Sequence, residues 1–266
     1  MAVGKRRGDA VGADGTALVT GACGGIGAAV VRGLVEQGAR VAALDVDGSA
    51  VRELAAAYRE KGHAVDGYAV DVADRAAVET AVAEIEESGT IALAVNIAGI
   101  LCPGPVLELA AEDWAAVFAV NSSGVFNVST AVARHMTPRR AGAIVTVSSD
   151  AARLSRTGMA AYAASKSAAT RFTLCLGLEL APFGIRCNVV SPGTTATAMR
   201  RQLWGGDAPE ESAVAGSPES FRGGIPLGRI ADPEDVADAV LFLASPRAQH
   251  ITMHDLRVDG GAGLGS

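Results

Sequence analysis

Short β-branched or apolar runs alternate with longer, Ala-rich amphipathic stretches from Thr16 almost to the C-terminus, and no other feature restricts the possible folds as much. Repeated strand-helix units of this kind lay their strands side by side in one parallel sheet, with the helices covering its faces. The pattern places strands at 16–20, 40–45, 64–71, 91–96, 143–148, 185–191 and 255–258. Gly38, Gly62 and the pair Ser88-Gly89 supply the stops of the first three helices. The expected class is therefore α/β, a single doubly wound domain with a seven-stranded, mostly parallel sheet.

The length of 266 residues suits one such domain, expected over 15–266, after a tail at 1–14. One segment, 194–226, breaks the rhythm with Gly205-Gly206, Pro209, Pro218 and Gly223-Gly224, and is expected to form a lid beside the strand ends where ligands bind. The net charge is −6 and the only basic cluster is Lys5-Arg6-Arg7, so no nucleic-acid partner is expected. That cluster is not followed by the apolar core of a signal peptide, and no uninterrupted apolar run reaches about 18 residues. A cytoplasmic protein without a membrane partner is the expectation. Cys23, Cys102, Cys175 and Cys187 form no CxxC pair, which argues against a metal site; all four read as small buried residues.

The first strand runs directly into Gly21-Ala22-Cys23-Gly24-Gly25-Ile26-Gly27 and then an apolar-periodic helix. Glycines there permit close backbone approach, while the helix start offers unpaired N–H groups and a positive dipole to a pyrophosphate. Asp45 ends the next strand, 18 residues after Gly27, where a carboxylate can accept hydrogen bonds from a ribose diol. With Asp47 close by and no adjacent cation, a 2′-phosphate would be repelled, which favours NAD over NADP. Asp71-Val72 ends the third strand in the same way, and Asp71 is expected either to meet the adenine amino group or to cap the following helix.

Tyr162 and Lys166 stand four apart in the stretch 159–180, on one face if that stretch is helical. A phenol titrates near 10, and an ammonium held beside it is expected to lower that value and make the pair a proton acceptor. Ser149 ends a strand thirteen residues before Tyr162, and Asn121 lies in the helical stretch after the fourth strand.

Asn121, Ser149, Tyr162 and Lys166 resemble the catalytic tetrad of the short-chain dehydrogenase/reductase family, and Thr20-Gly21-x-x-x-Gly25-x-Gly27 resembles its cofactor motif. Asn96-Ile97-Ala98-Gly99, Ser191-Pro192-Gly193 and Val258-Asp259-Gly260-Gly261 follow in the family's order, so the resemblance spans roughly 16–261. Ile97 departs from it where the family usually has a second Asn. The resemblance implies a Rossmann-like fold and a nicotinamide cofactor held by Gly21, Gly25, Ile26, Gly27, Asp45, Asp71, Val72, Asn96, Ala98, Gly99, Tyr162, Lys166, Pro192, Gly193, Thr195 and Thr197. It implies that Tyr162 transfers the proton, that Lys166 tunes it and holds the nicotinamide ribose, that Ser149 bonds the reacting oxygen, and that Asn121 supports a water relay. It also implies a homotetramer assembled through paired long helices.

Longer stretches, among them 142–152, Arg156-Thr157-Gly158-Met159 and 186–193, resemble more narrowly those members that oxidise a cyclic dihydrodiol carboxylate to a catechol. The implied substrate is an anionic cyclohexadiene. Arg156 is the first candidate for its carboxylate and Arg201 the second, with Met159 and Trp204 available to the ring face. Three alternatives stay open: an amino group at C2 giving a hydroxyanthranilate, another alcohol dehydrogenase or ketoreductase of the family, and an NAD-binding scaffold without turnover.

Overall fold

A computed structural model describes residues 15–203, 210–218 and 221–264, with side chains of 202 and 203 left aside. The tail at 1–14, Trp204 and the Gly205-Gly206 pair lie outside these residues.

The expected alternation is realised in order. β1 (Thr16–Thr20), α1 (Gly25–Glu36), β2 (Arg40–Asp45), α2 (Gly48–Glu60), β3 (Val65–Ala69), α3 (Arg75–Ser88) and β4 (Ile91–Asn96) form the first half. The second half holds α4 (Ala111–Phe118), α5 (Val125–Arg139), β5 (Gly142–Val147), α6 (Ala160–Leu180), β6 (Ile185–Pro192), α7 (Ala198–Leu203), α8 (Glu210–Ala215), α9 (Pro233–Ala244) and β7 (Asp255–Val258). The strand order is β3-β2-β1-β4-β5-β6-β7, and every pairing is parallel.

Strand alternation sorts the core into two layers. Ala17 and Val19 of β1 face a cluster built with Val30, Leu34, Val51, Val236 and Val240, which belongs to α1, α2 and α9. Leu18 faces the other way, onto Val78, Val82, Val128, Val132 and Met136 of α3 and α5. Both faces of the sheet are therefore sealed by apolar packing, and the open polar ground is at the strand ends. Successive connections leave β1 for opposite sides, so a crevice forms at the carboxyl ends of β1 and β4, where open α/β sheets bind ligands.

Several expectations shift in detail. β3 is shorter than read, ending at Ala69, so Asp71 lies in the turn beyond it. Segment 194–226 holds two short helices, α7 and α8. The helical run 111–139 is long and apolar enough by composition to cross a membrane, but half of its most apolar 18-residue stretch is buried. Met136, Val128 and Val132 on it pack against the sheet, so here it is a core helix. Of the four cysteines, only Cys187 is buried; Cys175 is exposed on α6, and Cys23 and Cys102 are intermediate.

Candidate active site

The turn after β1 is closed by backbone contacts that only glycine allows. Gly21 has φ +64°, and a Cβ there would lie 2.8 Å from Ala98 Cα; a Cβ on Gly27 would lie 2.0 Å from the Gly21 carbonyl oxygen. Thr20 ties this turn to the end of β4, its hydroxyl accepting from the Ile97 N–H at 3.0 Å and the Ala98 N–H at 3.2 Å. Those bonds use the backbone of residue 97, which explains how the turn tolerates Ile there. α1 begins with no side-chain cap and no acidic residue in its first turn, so its leading N–H groups face outward as an anion site.

Asp45 stands at the end of β2, where its carboxylate accepts from the Cys23 N–H at 2.9 Å and the Asp47 N–H at 3.2 Å. It is thereby fixed beside the glycine turn. Burial and the neighbouring Asp45 push the Cys23 thiol up to about 11, so it stays protonated. Asp71 is exposed and accepts from the Ala73 N–H at 2.9 Å. It does not cap α3; Asp74 does, accepting from Ala76 and Ala77. The Val72 carbonyl is held by Asn127 Nδ2 at 3.0 Å. Asn96 is buried with its amide turned inward, donating to Ser129 Oγ at 2.9 Å and more weakly to Thr146 Oγ1 at 3.4 Å. It fixes the end of β4 from behind, and its side chain does not reach the cleft.

A cleft opens beyond these turns. Its walls bring together Ser149, Tyr162 and Lys166 with Gly99, Arg156 and Met159, residues drawn from four separate parts of the chain. Ile26, Pro192, Gly193, Thr195 and Thr197 line its cofactor-turn side. Tyr162 is hydrogen-bonded to Ser149, and Lys166 Nζ lies 5.8 Å from the Tyr162 ring centroid while donating to the Val147 carbonyl at 3.0 Å. Helical spacing alone puts Tyr162 and Lys166 on this face of α6; Ser148 then locks α6 against β5, its hydroxyl 2.6 Å from Thr170 Oγ1 and 3.2 Å from the Lys166 carbonyl.

Asn121 lies in a π-helical turn, Ala119–Gly124, that interrupts the α4–α5 run. Its amide is fully used: Oδ1 accepts from the Ile100 N–H at 2.9 Å, and Nδ2 donates to the Ile100 carbonyl and to Ser165 Oγ. A Cβ on Gly99 would sit 3.2 Å from Asn121 Oδ1 and 3.3 Å from Lys166 Nζ, so both groups lie close over this residue and a side chain there would have to nudge them aside.

The electrostatics correct one expectation. Tyr162 is pushed up to about 12, chiefly by burial; its bond with Ser149 and the charge of Arg156 oppose this, and Asp150 adds to it. Lys166 is itself pulled down to about 8 by burial. The ammonium therefore does not lower the phenol here, and the resting Tyr162 holds its proton.

Arg156 lines the cleft, but its two terminal nitrogens both donate to Asp150, Nη1 at 2.9 Å and Nη2 more closely. Asp150, which sequence reasoning passed over, also receives the Ser149 hydroxyl at 3.3 Å, so it orients that serine. Arg201 is exposed and outside the cleft walls; its neighbour Arg200 lines them, as does Arg222. Nothing short of the turn geometry around α7 would have separated Arg200 from Arg201. Met159 is buried with Leu101, Ala151 and Tyr162 in a small apolar cluster.

The chain matches the family described as Enoyl-(Acyl carrier protein) reductase over residues 21–263. It belongs to the short-chain dehydrogenase/reductase family. A curated relative, the 2,3-dihydro-2,3-dihydroxybenzoate dehydrogenase of Bacillus subtilis strain 168, is 51% identical over 250 residues, covering 94% of this chain and 96% of its own. The enzyme of the same name from Escherichia coli K12 is 45% identical over 252 residues, covering 93% and 96%. Among solved structures, a gluconate 5-dehydrogenase from Burkholderia cenocepacia J2315, in complex with NADP and tartrate, superposes with a TM-score of 0.86 at 36% identity, covering 94% and 95%. This family member is a dehydrogenase that uses a nicotinamide dinucleotide. The uncapped α1 start and the close-packed glycine turn fit such a group, with Asp45 placed for the ribose.

Proposed function

We propose that the protein oxidises the C3 hydroxyl of 2,3-dihydro-2,3-dihydroxybenzoate, with NAD as acceptor, giving 2,3-dihydroxybenzoate. The observation that carries this reading is the charge of the cleft: among the described residues, Arg156, Arg200, Arg222 and Lys166 line it with one carboxylate, Asp150, in a chain of net charge −6. A locally cationic cavity in an acidic protein selects an anion. Its remaining walls, including Ile97, Leu101, Val147 and Met199, are apolar and suit a flat ring. The 51% and 45% identical relatives act on a substrate with both features in their names.

When bound, the nicotinamide supplies the hydride acceptor. Tyr162, whose resting proton would first have to pass to solvent on the Lys166 side of the site, would act as the phenolate that takes the proton of the C3 hydroxyl as the C3 hydride departs, and the Ser149 hydroxyl, held by Asp150, would bond the same oxygen. The resulting ketone loses its C2 proton and becomes aromatic, which draws the oxidation forward. Lys166 would hold the nicotinamide ribose, and Asn121, its amide committed to Ile100 and Ser165, would support a water relay by fixing the backbone beside Lys166. Ile26, Gly99, Pro192, Gly193, Thr195 and Thr197 would contact the cofactor. Gly21, Gly25, Gly27 and Ala98 would receive its pyrophosphate side, and Asp45 its adenosine ribose. Asp71 and Val72 would border the adenine.

NAD is the expected cofactor because Asp45 already gathers two N–H groups and would repel a 2′-phosphate. Segment 194–226 would act as a lid. The setting would be the cytoplasm, with no nucleic-acid or membrane partner, and the assembly a homotetramer joined through the α5 and α6 faces, where Phe126 and Leu178 are exposed.

The test offers the purified protein NAD or NADP with three substrates: the trans-dihydrodiol carboxylate, its 2-amino counterpart, and simple ring alcohols. NADH appearing together with 2,3-dihydroxybenzoate, fastest for the dihydrodiol, is the expected result. Faster turnover of the amino counterpart assigns the hydroxyanthranilate reaction instead, and no turnover of any substrate leaves a binding scaffold.

A further inference from the structure

Ser149 stands at the head of a short 3-10 turn, Asp150–Ala152, and caps it. Its Oγ accepts from the Ala151 N–H at 3.2 Å, while its hydroxyl donates to Asp150 Oδ1 at 3.3 Å. The direction of the hydroxyl therefore depends on where this turn sits. On the cleft side Arg156 holds the Asp150 carboxylate, and from α6 the Ser167 hydroxyl donates to the Ala152 carbonyl at 2.7 Å.

A third fastening comes from the edge of the sheet. Arg153 closes the turn, its N–H donating to the Asp150 carbonyl at 3.0 Å, and its Nη2 lies 3.1 Å from Asp255 Oδ2 on β7. The Asp255 side chain is only 3% exposed, against 45% for Arg153. Oδ1 accepts from the Ser191 hydroxyl at 2.6 Å, and Oδ2 has no aligned hydrogen bond among the described residues. Arg153 thus supplies opposite charge to a carboxylate that packing has removed from water, and taking either partner away leaves the other poorly matched. Ser191 in turn precedes Pro192 and Gly193, which line the cofactor side of the cleft. Asp255 is tied to the serine turn through one oxygen and to the end of β6 through the other.

We propose that Arg153 and Asp255 are a positioning pair for Ser149, bracing from β7 the turn that aims its hydroxyl at the reacting oxygen. The inference rests on the reading in which Ser149 bonds that oxygen during oxidation. Neither residue lines the cleft, so both act through the turn. Their effect extends to the phenol: the bond from Ser149 and the charge of Arg156 ease the ionisation of Tyr162, while burial and Asp150 oppose it, and Lys166 stands over the same ring. A serine turned aside leaves the phenol harder to ionise.

The experiment compares wild type with Arg153→Met, Asp255→Asn, the double variant and Arg153→Lys, by steady-state oxidation of the dihydrodiol across pH and by NADH fluorescence titration. Each of the first two should lower kcat by about 10- to 100-fold, the scale of an ångström-sized misplacement, with NADH affinity near that of wild type. The double variant should lose no more than the worse single, because all three break one pair. Arg153→Lys keeps the charge and should recover part of the rate. Asp255→Asn keeps the shape and the acceptor for Ser191, and it carries the test if Arg153→Met does not fold. In both single variants the rise of kcat with pH should move to higher pH, which a general loosening of the fold does not produce. Unchanged kcat, losses that add in the double variant, or a fall in kcat matched by NADH affinity with the pH profile unmoved overturns the assignment. A wild type that oxidises no offered substrate removes the role of Ser149 and the brace with it, whereas an active wild type with indifferent variants overturns the brace alone.

Discussion

On the β1–α1 side of the cleft the ligand-facing surface is backbone, packed so closely that a methyl added at Gly21 would meet the Ala98 backbone and one added at Gly27 the Gly21 carbonyl oxygen. On the β5–α6 side and across from it, the surface is made of long side chains, with Arg156, Arg222 and Lys166 arranged around one buried carboxylate. The first side recognises a group common to many reactions and does so by shape. The second offers charge to a substrate, and apart from the buried Arg156–Asp150 pair, which also supports the fold, its residues can be exchanged without disturbing the turn. Substitutions should therefore act differently on the two sides: through closure of the turn on one, through affinity and proton transfer on the other.

The sharpest contrast comes from one change on each side. Tyr162→Phe removes the proton acceptor and should lower kcat by about 10²- to 10⁴-fold, while cofactor affinity measured by NADH fluorescence stays near that of wild type. Gly27→Val should instead abolish cofactor binding and lower the melting temperature, because its side chain would occupy the space of the Gly21 carbonyl. A Tyr162 variant that loses NADH affinity as severely as Gly27→Val would erase the distinction.

Next in size is Arg156→Met, which leaves Asp150 buried without its ion pair and should destabilise the fold by about 3–5 kcal/mol in urea titration. Adding Asp150→Leu should recover part of that stability but not the rate, since Ser149 has then lost the acceptor that orients it. If the double variant regains full activity, Asp150 has no role in positioning Ser149.

Asp45→Ala tests the boundary of the cofactor side, where a charge works among backbone contacts. Without that carboxylate the ratio of kcat/KM for NAD over NADP should fall by about 10-fold or more, from removal of close like-charge repulsion. An unchanged ratio would mean that shape alone chooses the cofactor.

One further effect is a pH dependence of stability rather than of rate. Because burial lowers Lys166 from 10.5 to about 8, the unfolded chain binds more protons than the folded one between those values. Folding stability gains about 3 kcal/mol from this group as pH rises from 8 to 10.5, the equivalent of its shift. Tyr162 opposes it only above pH 10, where the folded state keeps a proton that the unfolded chain loses. Lys166→Met should flatten the rise, which stability curves at several pH values would reveal.

The two sides were also unequally legible in the sequence. The glycine spacing, the strand rhythm and the Tyr162–Lys166 interval are local patterns, and each is fixed within one strand-helix unit. Asp150 stands beside Ser149 in sequence, yet its value depends on Arg156 folding back upon it, and Arg222 reaches Met159 from 63 residues away. Contacts of that range leave no periodicity to read. Arg200 and Arg201 are chemically identical neighbours, and only the orientation of α7 decides which one faces the cleft. The phenol's titration is hidden from the sequence for a related reason: spacing reveals that an ammonium is near, whereas burial, which dominates, belongs to the packed cluster around Tyr162.

The most direct test uses dihydrodiol carboxylate labelled with deuterium at C3, incubated with wild-type protein and NAD. The label should appear in NADH, one equivalent for each 2,3-dihydroxybenzoate formed, and the rate should collapse in Tyr162→Phe. Unlabelled NADH, or aromatic product without NADH, would contradict hydride transfer from the carbon whose hydroxyl Tyr162 and Ser149 are arranged to hold.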